Sequence, residues 1–129
     1  MQTNQERRKV YLAGGFRSRW QEIVASQLKG FVFLDPSQHN IQDPGEYTRW
    51  DLQAIQESNI VLANMEATNP GGYSLALEVG FAKALGKSIF LVDQIADPST
   101  SRYFEMVRQC SDRVFATLDD AIDFLAQLK

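Results

Sequence analysis

Cysteine and histidine are almost missing from this chain: among 129 residues there is one of each, Cys110 and His39. A single cysteine cannot close an internal disulfide, so a reducing compartment, the cytoplasm, is the expectation. Without a Cys/His cluster no zinc-type ligand set is spelled out, and without a Ser-His-Asp pattern no hydrolase triad is. His39, alone in a loop, is not expected to hold a metal, and no cofactor motif is present. Excess positive charge is lacking too. The net charge of −3 argues against sequence-independent binding of a nucleic acid polymer, which needs a basic surface. No apolar run approaches the roughly 20 residues needed to cross a membrane. Residues 1–8 are polar and lack the hydrophobic segment of a secretion signal, so they are expected to be a flexible lead-in. What remains is ordinary: 44% hydrophobic and 22% charged residues, without repeats or low-complexity linkers, read as one globular domain over residues 9–129.

The most informative stretch is residues 69–87, Asn-Pro-Gly-Gly-Tyr-Ser-Leu-Ala-Leu-Glu-Val-Gly-Phe-Ala-Lys-Ala-Leu-Gly-Lys. Asn-Pro-Gly-Gly reads as a turn, Ser74 as a helix cap, and Gly86 as the helix stop. Within that helix only Glu78 and Lys83 are charged. Five residues apart, they point about 140° away from each other. If Lys83 reaches water, Glu78 faces inward or into a cleft, where an unpaired charge is costly. Its place in the first turns of the helix predicts an ionised carboxylate, desolvated at a loop edge, as a nucleophile would be. A carboxylate merely paired near a helix start is the plainer alternative.

Read in order, residues 9–13 form a strand bounded by Gly14-Gly15. Residues 17–29 form a helix with Trp20, Ile23, Val24 and Leu28 inward, and residues 31–34 a second strand ended by Asp35-Pro36. Residues 45–58 read as a helix, 59–65 as a strand, 74–85 as a helix and 88–92 as a strand. A helix starting near Ser99 or Thr100 runs to Cys110, followed by a strand over 113–116 and a helix over 118–128 capped by Thr117. Strands alternating with helices predict an α/β fold: a three-layer, doubly wound, five-stranded parallel sheet in the order 2-1-3-4-5. Ligands bind such sheets beyond the strands' carboxyl ends, where the order reverses. That places Tyr11, the Gly14-Gly15 turn and Glu78 at one crevice.

Around it stand three further candidates. Tyr11 either orients Glu78 or is a core tyrosine with a satisfied hydroxyl. Asp51 either acts as a general acid, or holds a polar ligand edge, or lies on a solvated helix face, as Glu46 and Glu57 do. Arg17 and Arg19 follow the first glycine turn at a helix N-terminus, and are either anion ligands or surface arginines.

Residues 11–16 (Tyr-Leu-Ala-Gly-Gly-Phe), 50–52 (Trp-Asp-Leu), the strand before Ala67, and 77–87 (Leu-Glu-Val-Gly-Phe-Ala-Lys-Ala-Leu-Gly-Lys) together resemble the nucleoside 2-deoxyribosyltransferase family, which includes the 2'-deoxynucleoside 5'-monophosphate N-hydrolases. The resemblance spans residues 9–127 and is most specific in the last run. It implies a flavodoxin-like fold, a dimer or larger assembly, and a nucleoside or nucleotide as the small-molecule partner. It makes Glu78 the nucleophile at C1' of the sugar, Tyr11 the residue that positions it, and Asp51 the residue that handles the base or its proton. Met106 would reach a neighbouring subunit's site. Gly14, Gly15, Phe16 and Arg17 would form the substrate loop, Arg17 matching an arginine of the hydrolases' phosphate-binding loop, with hydroxyls from Ser18 and Ser74. Gly72 stands where transferases carry an aspartate and hydrolases a serine, so that position supplies only backbone. Phe104 stands where an asparagine or serine is usual. The expected activity is cleavage or transfer of an N-glycosidic bond through a covalent sugar–glutamate intermediate. The alternatives are a non-catalytic nucleotide-sensing module of the same fold, and a nucleotide phosphoribohydrolase, whose Pro-Gly-Gly loop residues 70–72 resemble.

Overall fold

Five short apolar segments become strands: β1 (Arg8–Gly14), β2 (Phe31–Leu34), β3 (Ile60–Met65), β4 (Ser88–Asp93) and β5 (Arg113–Phe115). The computed structural model describes residues 7–68 and 72–128. All neighbouring strands are parallel, and the order is β2-β1-β3-β4-β5, as the alternating pattern predicts. The helices between them are α1 (Trp20–Gln27), α2 (Pro44–Glu57), α3 (Gly72–Ala84), α4 (Pro98–Ser101), α5 (Glu105–Cys110) and α6 (Leu118–Ala126). This is the flavodoxin-like arrangement.

Because strand side chains alternate, each central strand feeds two cores. Val10, Leu12, Ile60, Leu62, Phe90 and Val92 face α1 and α6, meeting Trp20, Val24, Ala121 and Leu125. Tyr11, Ala13, Val61, Ala63, Ile89 and Leu91 face the other way, meeting Ala54 and Ile55 of α2, Leu75, Val79 and Ala82 of α3 and Val107 of α5. Glu78 shares that second face with Tyr11.

Several local expectations are corrected. The first helix begins at Trp20, not at residue 17, because Arg19 adopts a left-handed conformation (φ 60°) and residues 16–19 close a turn. Ile23 is exposed, and Gln21 takes its place inside because its amide finds a partner there. Ser74 is not a cap: α3 already starts at Gly72, so Ser74 is its third residue. Residues 69–71 of the expected turn, like residues 1–6, lie outside the described residues. The helix expected up to Cys110 is broken into α4, a 3₁₀ turn (Arg102–Phe104) and α5. Its first turn is capped by Asp97, whose side chain accepts from the Thr100 N–H. The Arg108 guanidinium takes the Ser101 carbonyl at 2.6 Å, an acceptor that a continuous helix would need, and also holds Asp93 at 2.7 Å. The Gly86 stop is present, with φ +76°.

β1 ends where the crevice begins. Gly14 has φ +145°, and a Cβ placed there would stand 2.7 Å from the Asn64 carbonyl oxygen of β3. Only glycine fits both the torsion and the space. Gly14→Ala is therefore expected to destabilise the chain by about 2–4 kcal/mol in urea unfolding. Unchanged stability would mean that the β1–β3 junction yields easily.

Candidate active site

Beyond the carboxyl ends of β1 and β3 lies a crevice of about 300 Å³. Its inner end is acidic. Glu78, in the second turn of α3, is 9% exposed, and its Oε2 accepts a 2.5 Å hydrogen bond from the Tyr11 hydroxyl. Tyr11 itself is fully buried beneath. Glu78 Oε1 has no bonded partner among the described residues and opens on the crevice. Burial pushes the Glu78 carboxyl up to about 7; the Tyr11 hydrogen bond opposes this, and the Asp51 carboxylate adds to it. The expectation of an ionised carboxylate is thus corrected: burial outweighs the Tyr11 hydrogen bond and leaves the group between its two protonation states near pH 7. Burial, and then the Glu78 charge, push the Tyr11 phenol far above its usual range, so it stays a donor.

Asp51 of α2 lines the same crevice. Its Oδ1 lies 3.1 Å from His39 Nε2. His39 Nδ1 accepts from the Ile41 N–H at 3.1 Å, which places the ring proton on Nε2, donating to Asp51. The ring also packs edge-on against Trp50, with 4.6 Å between centroids. Burial raises the Asp51 carboxyl above its ordinary value, and the His39 hydrogen bond partly counters this. So Asp51 belongs to the crevice and not to a solvated helix face. His39 was missed as a site residue. Its loop reads only as polar, and nothing in its spacing shows that Asp35, capping a 3₁₀ turn (Pro36–Gln38), and the left-handed Asn40 fold it back onto α2.

The rest of the lining comes from Phe16, Pro36, Ile41, Tyr47 and Leu75, with Gly14, Gly15 and Ser74. Apolar walls with a few convergent polar groups are what a flat, aromatic ligand edge and a polar sugar need. Arg17, Ser18, Arg19 and Met106 are not among the lining residues. Arg17 is exposed on the loop before α1. Ser18 donates to Glu66 at 2.6 Å, so its hydroxyl proton is already used. Arg19 pairs with Glu22 at 2.9 Å. Gly72 is the first residue of α3, and Met106, 80% exposed, points outward from α5. Among the described residues no three His, Cys, Asp or Glu side chains gather as a metal ligand set, and no helix is long and apolar enough to cross a membrane.

A parallel sheet with two desolvated acids at its strand ends defines a small α/β protein with a binding crevice. The model of the family described as "Nucleoside 2-deoxyribosyltransferase like" matches residues 7–95, well over half of the chain, and the chain belongs to that family. No curated protein matches it in sequence. Among solved structures, a 2-desoxiribosyltransferase from Leishmania mexicana is similar at TM-score 0.73 and 18% identity, over 93% of this chain and 97% of that one. A 2-deoxyribosyltransferase from Bacillus psychrosaccharolyticus is similar at TM-score 0.66 and 18% identity, over 94% and 92%. A CMP N-glycosidase from Clostridium botulinum is similar at TM-score 0.64 and 21% identity, over 93% and 99%. At these identities the likeness establishes the fold.

The Glu78 environment has a thermodynamic consequence. Its carboxyl releases a proton at 4.5 when unfolded and at about 7 when folded. Between those values the native state holds more protons, so stability falls as pH rises through the window, by roughly 3 kcal/mol in all. Glu78→Gln cannot ionise and keeps an acceptor for Tyr11. It should be more stable than the native chain by up to that amount near pH 8, and no more stable near pH 4. Thermal midpoints across pH measure this; a difference independent of pH would show that the carboxyl is not desolvated.

Proposed function

We propose that the chain is an enzyme that breaks the N-glycosidic bond of a (deoxy)nucleoside or its 5'-monophosphate, with Glu78 as nucleophile. The observation that carries this reading is the Tyr11–Glu78 pair: one carboxylate oxygen held by a buried hydroxyl, the other open to the crevice. The deprotonated Oε1 attacks C1' of the sugar. The C1'–N bond breaks, and the base leaves with its electron pair. The Asp51–His39 pair, in the same lining, supplies the hydrogen bond or proton that the departing base needs. A second acceptor, water or another base, then attacks C1' and frees the glutamate, as in retaining glycosyl transfer. Tyr11 holds Oε2 and so aims Oε1, while its proton stays on the phenol. Phe16 and Tyr47 supply the aromatic part of the lining on which a base would pack. Family membership supports this chemistry, and the structure of a CMP N-glycosidase on the same fold is consistent with a nucleotide substrate.

Glu78→Ala should abolish release of free base from deoxynucleosides and deoxynucleoside monophosphates, by about 10³-fold or more, in a folded protein. Chromatography of the products tests it, and mass spectrometry of the native chain should find sugar attached to Glu78. Full activity in the variant would end the assignment. Binding without base release in the native chain would favour the sensing module.

The assembly proposed is a homodimer or larger. Support comes from the outer face of α3, where Tyr73 (85% exposed), Leu77 (62%), Gly80 and Ala84 recur at helical spacing. α5 packs beside it and carries Met106. The notch at Gly80, where a Cβ would touch nothing, admits a partner backbone. Met106 would then reach the neighbour's crevice. Leu77→Glu is expected to yield monomers in analytical ultracentrifugation with base release lowered at least tenfold; a fully active dilute monomer would contradict it.

A further inference from the structure

The loop between β1 and α1 is fastened at two points. The Gly15 carbonyl accepts from Trp20 Nε1 at 2.9 Å and from Gln21 Nε2 at 2.9 Å, which ties its first turn to α1. Farther along, Ser18 Oγ donates to Glu66 Oε2 at 2.6 Å. Glu66 directly follows Met65, the last residue of β3, and β3 is the neighbour of β1 in the sheet. The Ser18–Glu66 bond thus joins the loop to the carboxyl end of the adjacent strand.

A glutamine at position 66 could hold Ser18 equally well, because its amide oxygen also accepts. What the carboxylate adds is a fixed negative charge beside the turn whose Gly14, Gly15 and Phe16 line the crevice. Of the two arginines that flank Ser18, Arg19 is paired with Glu22 at 2.9 Å and Arg17 is exposed. Two further carboxylates, Glu78 and Asp51, belong to the lining itself. A space of about 300 Å³ is about 8 Å across, no more than the screening length in physiological salt. Every part of a bound ligand therefore lies in the field of these acids. A 5'-phosphate brings close to two more negative charges into that field at neutral pH. A 5'-hydroxyl brings none, and it can donate to an acid.

We infer that Glu66 is a specificity-determining residue: its carboxylate, held beside the loop by Ser18, makes the crevice select the uncharged nucleoside over its 5'-monophosphate. This rests on the reading of the crevice as a nucleoside or nucleotide site, and it narrows that reading to one substrate class. Glu66 acts on the ligand through its charge, without a bond to it.

Steady-state release of free base tests the inference, with the native chain at low salt and each of the four 2'-deoxynucleosides set against its 5'-monophosphate. For the preferred base, kcat/KM should be about tenfold or more higher for the nucleoside. Glu66→Gln keeps an acceptor for Ser18 and removes only the charge. It should raise kcat/KM for the monophosphate about fivefold, through KM, and leave the thermal midpoint in place. In the native chain, raising salt from about 0.02 M to about 0.5 M should narrow the nucleoside-to-monophosphate ratio, because the field is screened. Salt carries the test if Glu66→Gln does not fold. A monophosphate used as well as the nucleoside or better, or a ratio unmoved by Glu66→Gln or by salt, overturns the inference and leaves the crevice assignment standing. Release of base from neither kind of substrate overturns both.

Discussion

A carboxylate in a nearly dry place is the constraint on which the rest of the site depends. Glu78 is brought there because α3 turns its apolar residues Leu75, Val79 and Ala82 to the sheet, and the position between them must follow. The same packing puts Tyr11, alternating on β1, directly below. Their 2.5 Å hydrogen bond bridges residues 67 apart in the chain and ties a strand to a helix at the mouth of the crevice. Desolvation pushes the carboxyl up to about 7, and the hydrogen bond from the Tyr11 hydroxyl opposes the rise. A group tuned in this way is destabilising above its unfolded value, which is the usual relation between a reactive side chain and the fold that carries it.

The second acid is tuned by a different neighbour. Asp51 is only partly desolvated, and the His39 ring lies within hydrogen-bond reach of it. The two carboxyl groups thus differ in environment: one faces a phenol in the core, the other an imidazole at the rim. Environments that separate two acids are how one crevice can hold a nucleophile and a proton-handling group together.

The chain shares its fold with proteins only 18–21% identical to it. Gly72 offers no side chain, Phe104 ends a 3₁₀ turn, and the Arg108 clamp on Asp93 and Ser101 shapes the segment that presents Met106. Substrate selectivity in such a fold resides in these loops, because the strands are already committed to the core.

From residues alone, the strand order could be read, and Glu78 and Tyr11 could be brought to one crevice. Periodic apolar patterns dictate which face is buried, and a lone carboxylate in an apolar helix has few places to go. Asp51 could be suspected but not placed, since a helix face with mixed polarity allows several rotations. His39, Gln21 and the broken helix after Asp97 were out of reach. Each depends on a contact between distant or non-periodic groups: an imidazole folded back by a turn, an amide that displaces Ile23 because a carbonyl lies opposite, a guanidinium that takes a helical acceptor. Local pattern determines the framework because hydrophobic burial is periodic and additive. The polar contacts of the site were decided only in the folded chain, because hydrogen bonds depend on direction and on partners that the linear order does not bring together.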